Sequence, residues 1–592
     1  MALLSRGEDG RRATACRAPR LSLFAVTPAL LTGLAAPCAA YAQLASAPRP
    51  AVEEQRQQER ERALREQQER SVDARLQRPG AEEVRRLPVD ETPCFRIDRI
   101  VLEGERSASF QWALDAMAGP LGDDSPIGRC LGTEGVNIVL SRVQQAVIAR
   151  GYVTTRVLAG SQDLTRGTLT LTLVPGRIAA IRFDSEAAPA SLRTAIPAQV
   201  GDLLNLRDIE QGLENLKRVP TAEADIQIEP SNAANAQPGD SDLVVKYAQV
   251  KRWRGTVSVD DSGTEATGKY QAGATVSLDN PFGLNDLFYV SAGHSIDRHG
   301  FGKPDQGTDN QVVHYSVPYG NWLVSATASQ SSYHRNVAGA FQDILFAGES
   351  SNAEVRLSRL LYRDQHRKTS VSVRGWRRAA HNFVDDTEVE VQRRTVGGWE
   401  LGLNHREFIG SATLEGNLAY RRGTGAFGAI PAPEEAFGEG TSRMKLFTAD
   451  LNLNQPFELA GQKLRYSGLW RAQWNRTPLT PQDQFSIGGR FTVRGFDGEN
   501  TLIGDRGWLV RNDIGLSLGQ SGAELYAGID QGEVSGLFVD QLIGRRLTGG
   551  VIGLRGAWAG LSYDFFVGAP IRKPEGYQTA SVTGGFSLNY MF

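Results

Sequence analysis

From Trp253 to the last residue, Phe592, apolar side chains fall on every second position, a period that only extended strands convert into one dry face and one wet face. Val257 and Val259 alternate with Thr256 and Ser258, and Ala272, Ala274, Val276 and Leu278 with Gln271, Gly273, Thr275 and Ser277. The final stretch repeats the pattern with Phe586, Leu588, Tyr590 and Phe592 around Ser587 and Asn589. The mean hydropathy is −0.31, and after residue 42 no run approaches the ~18–20 apolar residues of a membrane helix. If such a chain spans a membrane, it does so with strands. A soluble β-sandwich also alternates, but here the polar face is small or charged, as a wet lumen needs, and the other face carries aromatics at strand ends. The expected fold is a transmembrane β-barrel over residues 252–592, long enough for roughly sixteen antiparallel strands of ~10 residues.

The amino terminus reads as an export signal over residues 1–42. Arg11, Arg12, Arg17 and Arg20 precede an apolar stretch at 21–36, and Ala40-Tyr41-Ala42 supplies a small-residue cleavage site before Gln43. Pro37 stands where lipidation of Cys38 would require a small residue. Cleavage leaves Cys94 and Cys130, most simply one disulfide in an oxidising compartment, worth ~4 kcal/mol in the chain-entropy model. Two cysteines without clustered histidines do not make a metal site. Sixty-five basic against sixty-seven acidic residues leave no nucleic-acid footprint.

Between signal and barrel lie three zones. Residues 43–78 are rich in Glu, Gln and Arg, with Glu61 and Arg65, and Glu66 and Arg70, at the spacing that supports a helix. That helix has no apolar stripe, so it is either a solvated tail or lodged in a wet cavity. Pro79-Gly80 stops it and opens a linker over 79–92. Two units of strand, helix, strand, strand follow over 93–175 and 176–251. Their helices are expected at 135–150 and 206–216, the first on the period of Val136, Val139, Leu140, Val143 and Val147.

At this point the chain resembles the TpsB transporters of two-partner secretion, of the superfamily that includes the bacterial outer-membrane assembly protein. The likeness rests on Cys94-Phe95-Arg96-Ile97 with Cys130, Gly151-Tyr152-Val153-Thr154-Thr155, Val174-Pro175-Gly176, Asp208-Ile209-Glu210-Gln211-Gly212-Leu213 and above all Val493-Arg494-Gly495-Phe496. The resemblance implies two periplasmic POTRA domains, a sixteen-stranded barrel, and a helix over 43–78 that plugs the pore at rest. It also implies that a loop near 485–505 folds into the lumen. Arg494 offers a planar donor able to grip a carboxylate twice, and the expected partner is Asp530 in Gly528-Ile529-Asp530-Gln531-Gly532. A turn arginine in water is the plainer reading.

The function so implied is passage of a large secreted exoprotein of the haemolysin or adhesin type from periplasm to cell surface. The exoprotein would be recognised through its amino-terminal secretion domain, and in the branch that exports haemolysins passage also activates the toxin. The barrel implies outer-membrane lipid around it and the barrel-assembly machinery for its insertion. No GxxxxGK[ST] or HExxH occurs, and the GxSxG match at Gly515-Leu516-Ser517-Leu518-Gly519 sits in an alternating stretch rather than at a strand-to-helix turn, so nothing argues for ATP use, hydrolysis or a cofactor. An outer-membrane protein insertase shares the barrel and the loop, but more POTRA repeats are usual there and the polar helix is absent. A passive porin would need neither small domain.

Overall fold

The computed structural model describes residues 50–69, 72–76, 85–185, 188–297, 300–301 and 305–592. The export signal, Arg70 and the start of the linker lie outside them. Among the described residues, sixteen long strands from Trp253–Asp260 to Thr583–Met591 close into one antiparallel barrel, and two two-residue strands extend hairpins. Closure pairs the last strand with the first, from Ser587↔Asp260 to Met591↔Thr256. Phe592 then exchanges both backbone hydrogen bonds with Gly255, at 3.2 and 3.0 Å. A Cβ on Gly255 would sit 2.3 Å from the Phe592 ring, so a larger residue there would have to displace that ring.

The alternation sorts side chains as a membrane requires. Val257, Val276, Val355, Val373, Ile514, Ile529, Ile552 and Val567 point outward and exposed, whereas Thr275, Ser277, Glu354, Asp513 and Asp530 are buried on the inner side. A continuous apolar outer belt is costly in water and free of cost against lipid.

Each small domain is a three-stranded sheet with helices on one face. In the first, Arg99–Gly104 runs parallel to Thr168–Val174, and Arg156–Leu158 pairs antiparallel to it; in the second, Ile178–Phe183, Ser241–Gln249 and Ala222–Pro230 repeat that plan. The helices are Thr133–Ala149 and Leu206–Leu216. The alternation around Tyr152 suggests a strand starting there, but the Tyr152 ring packs on Phe110 with centroids 4.8 Å apart, and pairing begins at Arg156. Cys94 and Cys130 form a disulfide beside the pairing of Phe95–Arg96 with Cys130–Leu131. Residues ahead of it are fastened too: Glu91 accepts the backbone N–H groups of Gly132, Glu134 and Gly135, capping the first helix.

The second domain sits on the barrel rim. Gly320 N–H donates to Thr194 O at 2.8 Å, Asn215 Nδ2 to Gly320 O at 2.8 Å and Thr194 Oγ1 to Leu284 O at 3.0 Å. These three bonds reach two short barrel turns, so the long connections, including residues 476–505, leave the opposite end.

Candidate functional site

Among the described residues, a helix and a loop occupy the lumen. The helix is Pro50–Gln68, shorter than the polar stretch that encodes it. Its end is set by the wall: Arg254 Nη2 donates to the Gln68 carbonyl at 3.2 Å and Nη1 to its Oε1 at 3.1 Å, while Ser277 Oγ donates to the same oxygen at 2.7 Å. Arg254 is itself held by Asp279 at 2.8 Å. A helix polar on every side has no apolar core to dock on; here barrel side chains satisfy it instead. Glu54 pairs with Arg378 at 2.9 Å, Glu59 with Arg471 at 2.6 Å and Arg65 with Glu354 at 2.9 Å.

The spacing of Glu61 and Arg65 suggests a pair along the helix, and this is corrected by the wall. Arg65 turns to the buried Glu354, where the lower local dielectric makes an opposite charge more valuable. Glu61 accepts from Gln57 at 3.3 Å, and Glu66 pairs with Arg62 at 3.3 Å. Behind the helix the wall is laced together, Arg374 bridging Glu354 at 2.7 Å and Glu400 at 2.5 Å, with Arg421 on Glu400 at 2.9 Å. A cavity of about 970 Å³ remains beside the helix, lined by Arg356, Arg374, Glu400, Arg421, Asp450 and Arg471 among others.

The loop, residues 476–505, enters from the far end. Its base is a short antiparallel pair, Phe485–Ile487 with Leu502–Gly504. Ile487, Val493, Phe496 and Leu502 build a small apolar core against Leu509, Val534, Leu547 and Tyr577 of barrel and neighbouring loop. At the tip Gly495 takes φ +92°, a left-handed conformation that suits glycine, and its backbone lies on the wall beside Gly568.

Arg494 is buried there between two carboxylates. Its Nε and Nη2 donate to Asp530 at 2.7 and 2.8 Å, its backbone N–H to the same group at 3.0 Å, and Nη2 also to Asp513 at 2.5 Å. Its guanidinium carbon lies 5.9 Å from the centre of the Tyr526 ring, whose other neighbour, Arg555, is at 4.4 Å. Positions 528, 530 and 532 share the inner face, and the glycines flanking Asp530 leave room for the loop. A Cβ on Gly528 would meet Asp513 Oδ1 at 2.3 Å, and one on Gly532 would meet Val493 at 2.9 Å.

Nothing in the sequence singles out Asp513, because an inward charged position in an alternating strand is common to wetted lumen residues. Helix and loop also touch: Gln55 Nε2 donates to the carbonyls of Pro481 and Gln484 at 3.1 and 2.9 Å, and Arg56 donates to Gly498 O.

Known proteins share this fold. The sequence profile described as haemolysin secretion/activation protein ShlB/FhaC/HecB matches residues 239–556, more than half of the chain, and two POTRA profiles, one of ShlB type, match residues 95–176 and 177–230. The outer membrane transporter CdiB-2 of Burkholderia pseudomallei is 37% identical over 561 residues, covering 91% of this chain and 94% of that protein. The structure of CdiB from Acinetobacter baumannii superposes with a TM-score of 0.79 at 30% identity, over 92% of this chain and 98% of that one. That of CdiB from Escherichia coli does so with the same TM-score at 26% identity, over 92% and 100%. With its barrel in the outer membrane and its POTRA domains in the periplasm, the chain belongs to the haemolysin secretion/activation family, the transporters of two-partner secretion.

Proposed function

We propose that this transporter carries a large exoprotein of the haemolysin or adhesin type, recognised through its amino-terminal secretion domain, and that the described arrangement is its resting state. The observation that carries the reading is the polar helix satisfied by ion pairs inside the lumen, where it fills the path that cargo must take. Sheet edges at Ile178–Phe183 and Ala222–Pro230 suit an unfolded chain, because an added strand is gripped by backbone hydrogen bonds without detailed sequence reading. Arg494, Asp530 and Asp513 lock the loop. Opening the pore undoes these contacts, and folding of the emerging cargo supplies the drive, with no chemical step catalysed and no nucleotide consumed. Insertion of the barrel itself relies on the barrel-assembly machinery.

The test is export. Cells carrying this chain and the exoprotein encoded beside it are expected to release that protein into the medium, and Arg494→Ala to abolish release while the barrel still reaches the outer membrane. Absence of export, with barrel proteins depleted from the outer membrane of a deletion strain, would assign the chain to insertion instead.

A further inference from the structure

The POTRA helix Leu206–Leu216 carries two carboxylates one turn apart, Glu210 and Glu214, both buried where the helix meets the barrel rim. Cations already hold them: Arg207 and Arg363 reach Glu210 at 2.7 and 3.1 Å, and Arg363 and Lys368 reach Glu214, the former at 2.9 Å. Each nevertheless accepts a backbone N–H from the segment that follows the luminal helix. Ala74 N–H donates to Glu214 at 3.2 Å and Leu76 N–H to Glu210 at 3.0 Å, while Arg363 Nη2 donates to the Ala74 carbonyl at 2.6 Å.

The spacings match. Side chains four apart on a helix stand about 5–6 Å from one another, and N–H groups two residues apart in an extended chain about 6.6 Å. The flanking side chains are read as well. Asp73 pairs with Arg406 at 2.7 Å, the Arg75 guanidinium lies 4.0 Å over the Phe408 ring, and Ala74 and Leu76 pack on the core of the second POTRA domain. This is a slot that binds a peptide by its backbone, with a small residue first and an aliphatic one two places on.

We propose that the slot formed by Glu210, Glu214 and Arg363 is a docking site for an extended, unfolded segment of the secreted protein, and that residues 72–76 occupy it as a resident competitor. The proposal rests on the export reading above. An incoming segment that offers the same two N–H groups displaces the resident, and with it the tether at the end of Pro50–Gln68, so arrival of cargo and loosening of the helix become one event. Intramolecular competition is strong, because a short tether holds its end at millimolar effective concentration. Cargo must therefore bring further contacts on the POTRA sheets.

The test uses the full-length protein in lipid nanodiscs and the amino-terminal fragment of the exoprotein. Ala74→Pro with Leu76→Asp removes one resident N–H and the apolar anchor, leaving the slot intact. This variant is expected to bind the fragment about tenfold more tightly, roughly the worth of one hydrogen bond to a charged group. Adding Glu214→Gln to it is expected to take that gain back. A segment that is only a strut predicts neither change, so unchanged or weaker binding by the first variant, or no loss on adding Glu214→Gln, overturns the slot. If the double substitution lowers the yield of inserted barrel, Leu76→Ser alone must still tighten binding. Export by wild-type cells is scored in parallel: its absence sinks the transport reading, whereas export without these shifts sinks the slot alone.

Discussion

Arg494 places one guanidinium against two buried carboxylates, so deleting it leaves Asp513 and Asp530 only the longer contacts to Arg555 at 3.4 Å and Arg511 at 3.8 Å. Breaking a buried pair from one side costs about 3–5 kcal/mol. In an Arg494→Ala protein, a reporter cysteine at Thr492 is expected to react with an impermeant maleimide roughly two orders of magnitude faster; an unchanged rate would place the hold on the loop elsewhere. Asp124, in the first POTRA domain, is a second residue with a measurable signature. Burial raises its pKa, but hydrogen bonds from Arg142, the Leu87 N–H and Arg129 prevail and hold it at about 2. A depressed carboxylate stabilises the fold fully above its unfolded value of ~3.9, and that contribution is lost as pH falls toward about 2. The difference in melting temperature between wild type and Asp124→Asn should therefore shrink between pH 5 and pH 2. A constant difference would show that Asp124 acts by shape alone. Asp530 was legible in the sequence only because Gly528-Ile529-Asp530-Gln531-Gly532 resembles the family's motif; Asp513 was not, because an inward aspartate looks like any wetted lumen position until a loop lands on it.

At the scale of elements, the luminal helix is held by charge, so it should be movable by charge. Arg65→Glu sets two acids together at Glu354 and is expected to raise single-channel conductance in planar bilayers, and adding Glu354→Arg to restore closure in part. Failure of the swap to recover would mean that Arg374 and the rest of the wall network matter more than the pair. Because Gln55 and Arg56 hold loop carbonyls, deleting Pro50–Gln68 should also speed labelling at Thr492. The helix itself was readable from i, i+4 charges, but its cavity was not, since a solvated tail has the same composition. Likewise Leu206, Ile209, Leu213 and Leu216 announce a helix with one buried face. Burial of Glu210 and Glu214 on the other face needed the barrel rim.

For the whole molecule, the apolar belt makes the barrel a membrane object. Lys at the outward Ile552 should cost about 2–4 kcal/mol near the bilayer midplane and less toward either interface, seen as a smaller heat-modifiable folded fraction than for Ile552→Leu. Equal fractions would remove lipid from that face. What the sequence alone determined was periodic: strands after Trp253, two strand-helix-strand-strand units, a polar helix, and a glycine-framed arginine loop. Periodicity is a property of neighbouring residues, written by backbone geometry into any short stretch of chain. Only the tertiary structure decided which polar faces meet. Glu59 finds Arg471, and the segment after the helix finds Glu210 and Glu214, only once the sheet has closed into a barrel and the second POTRA domain has seated on its rim. Such partners are far apart in the chain, and each alone has the chemistry of an ordinary solvated charge.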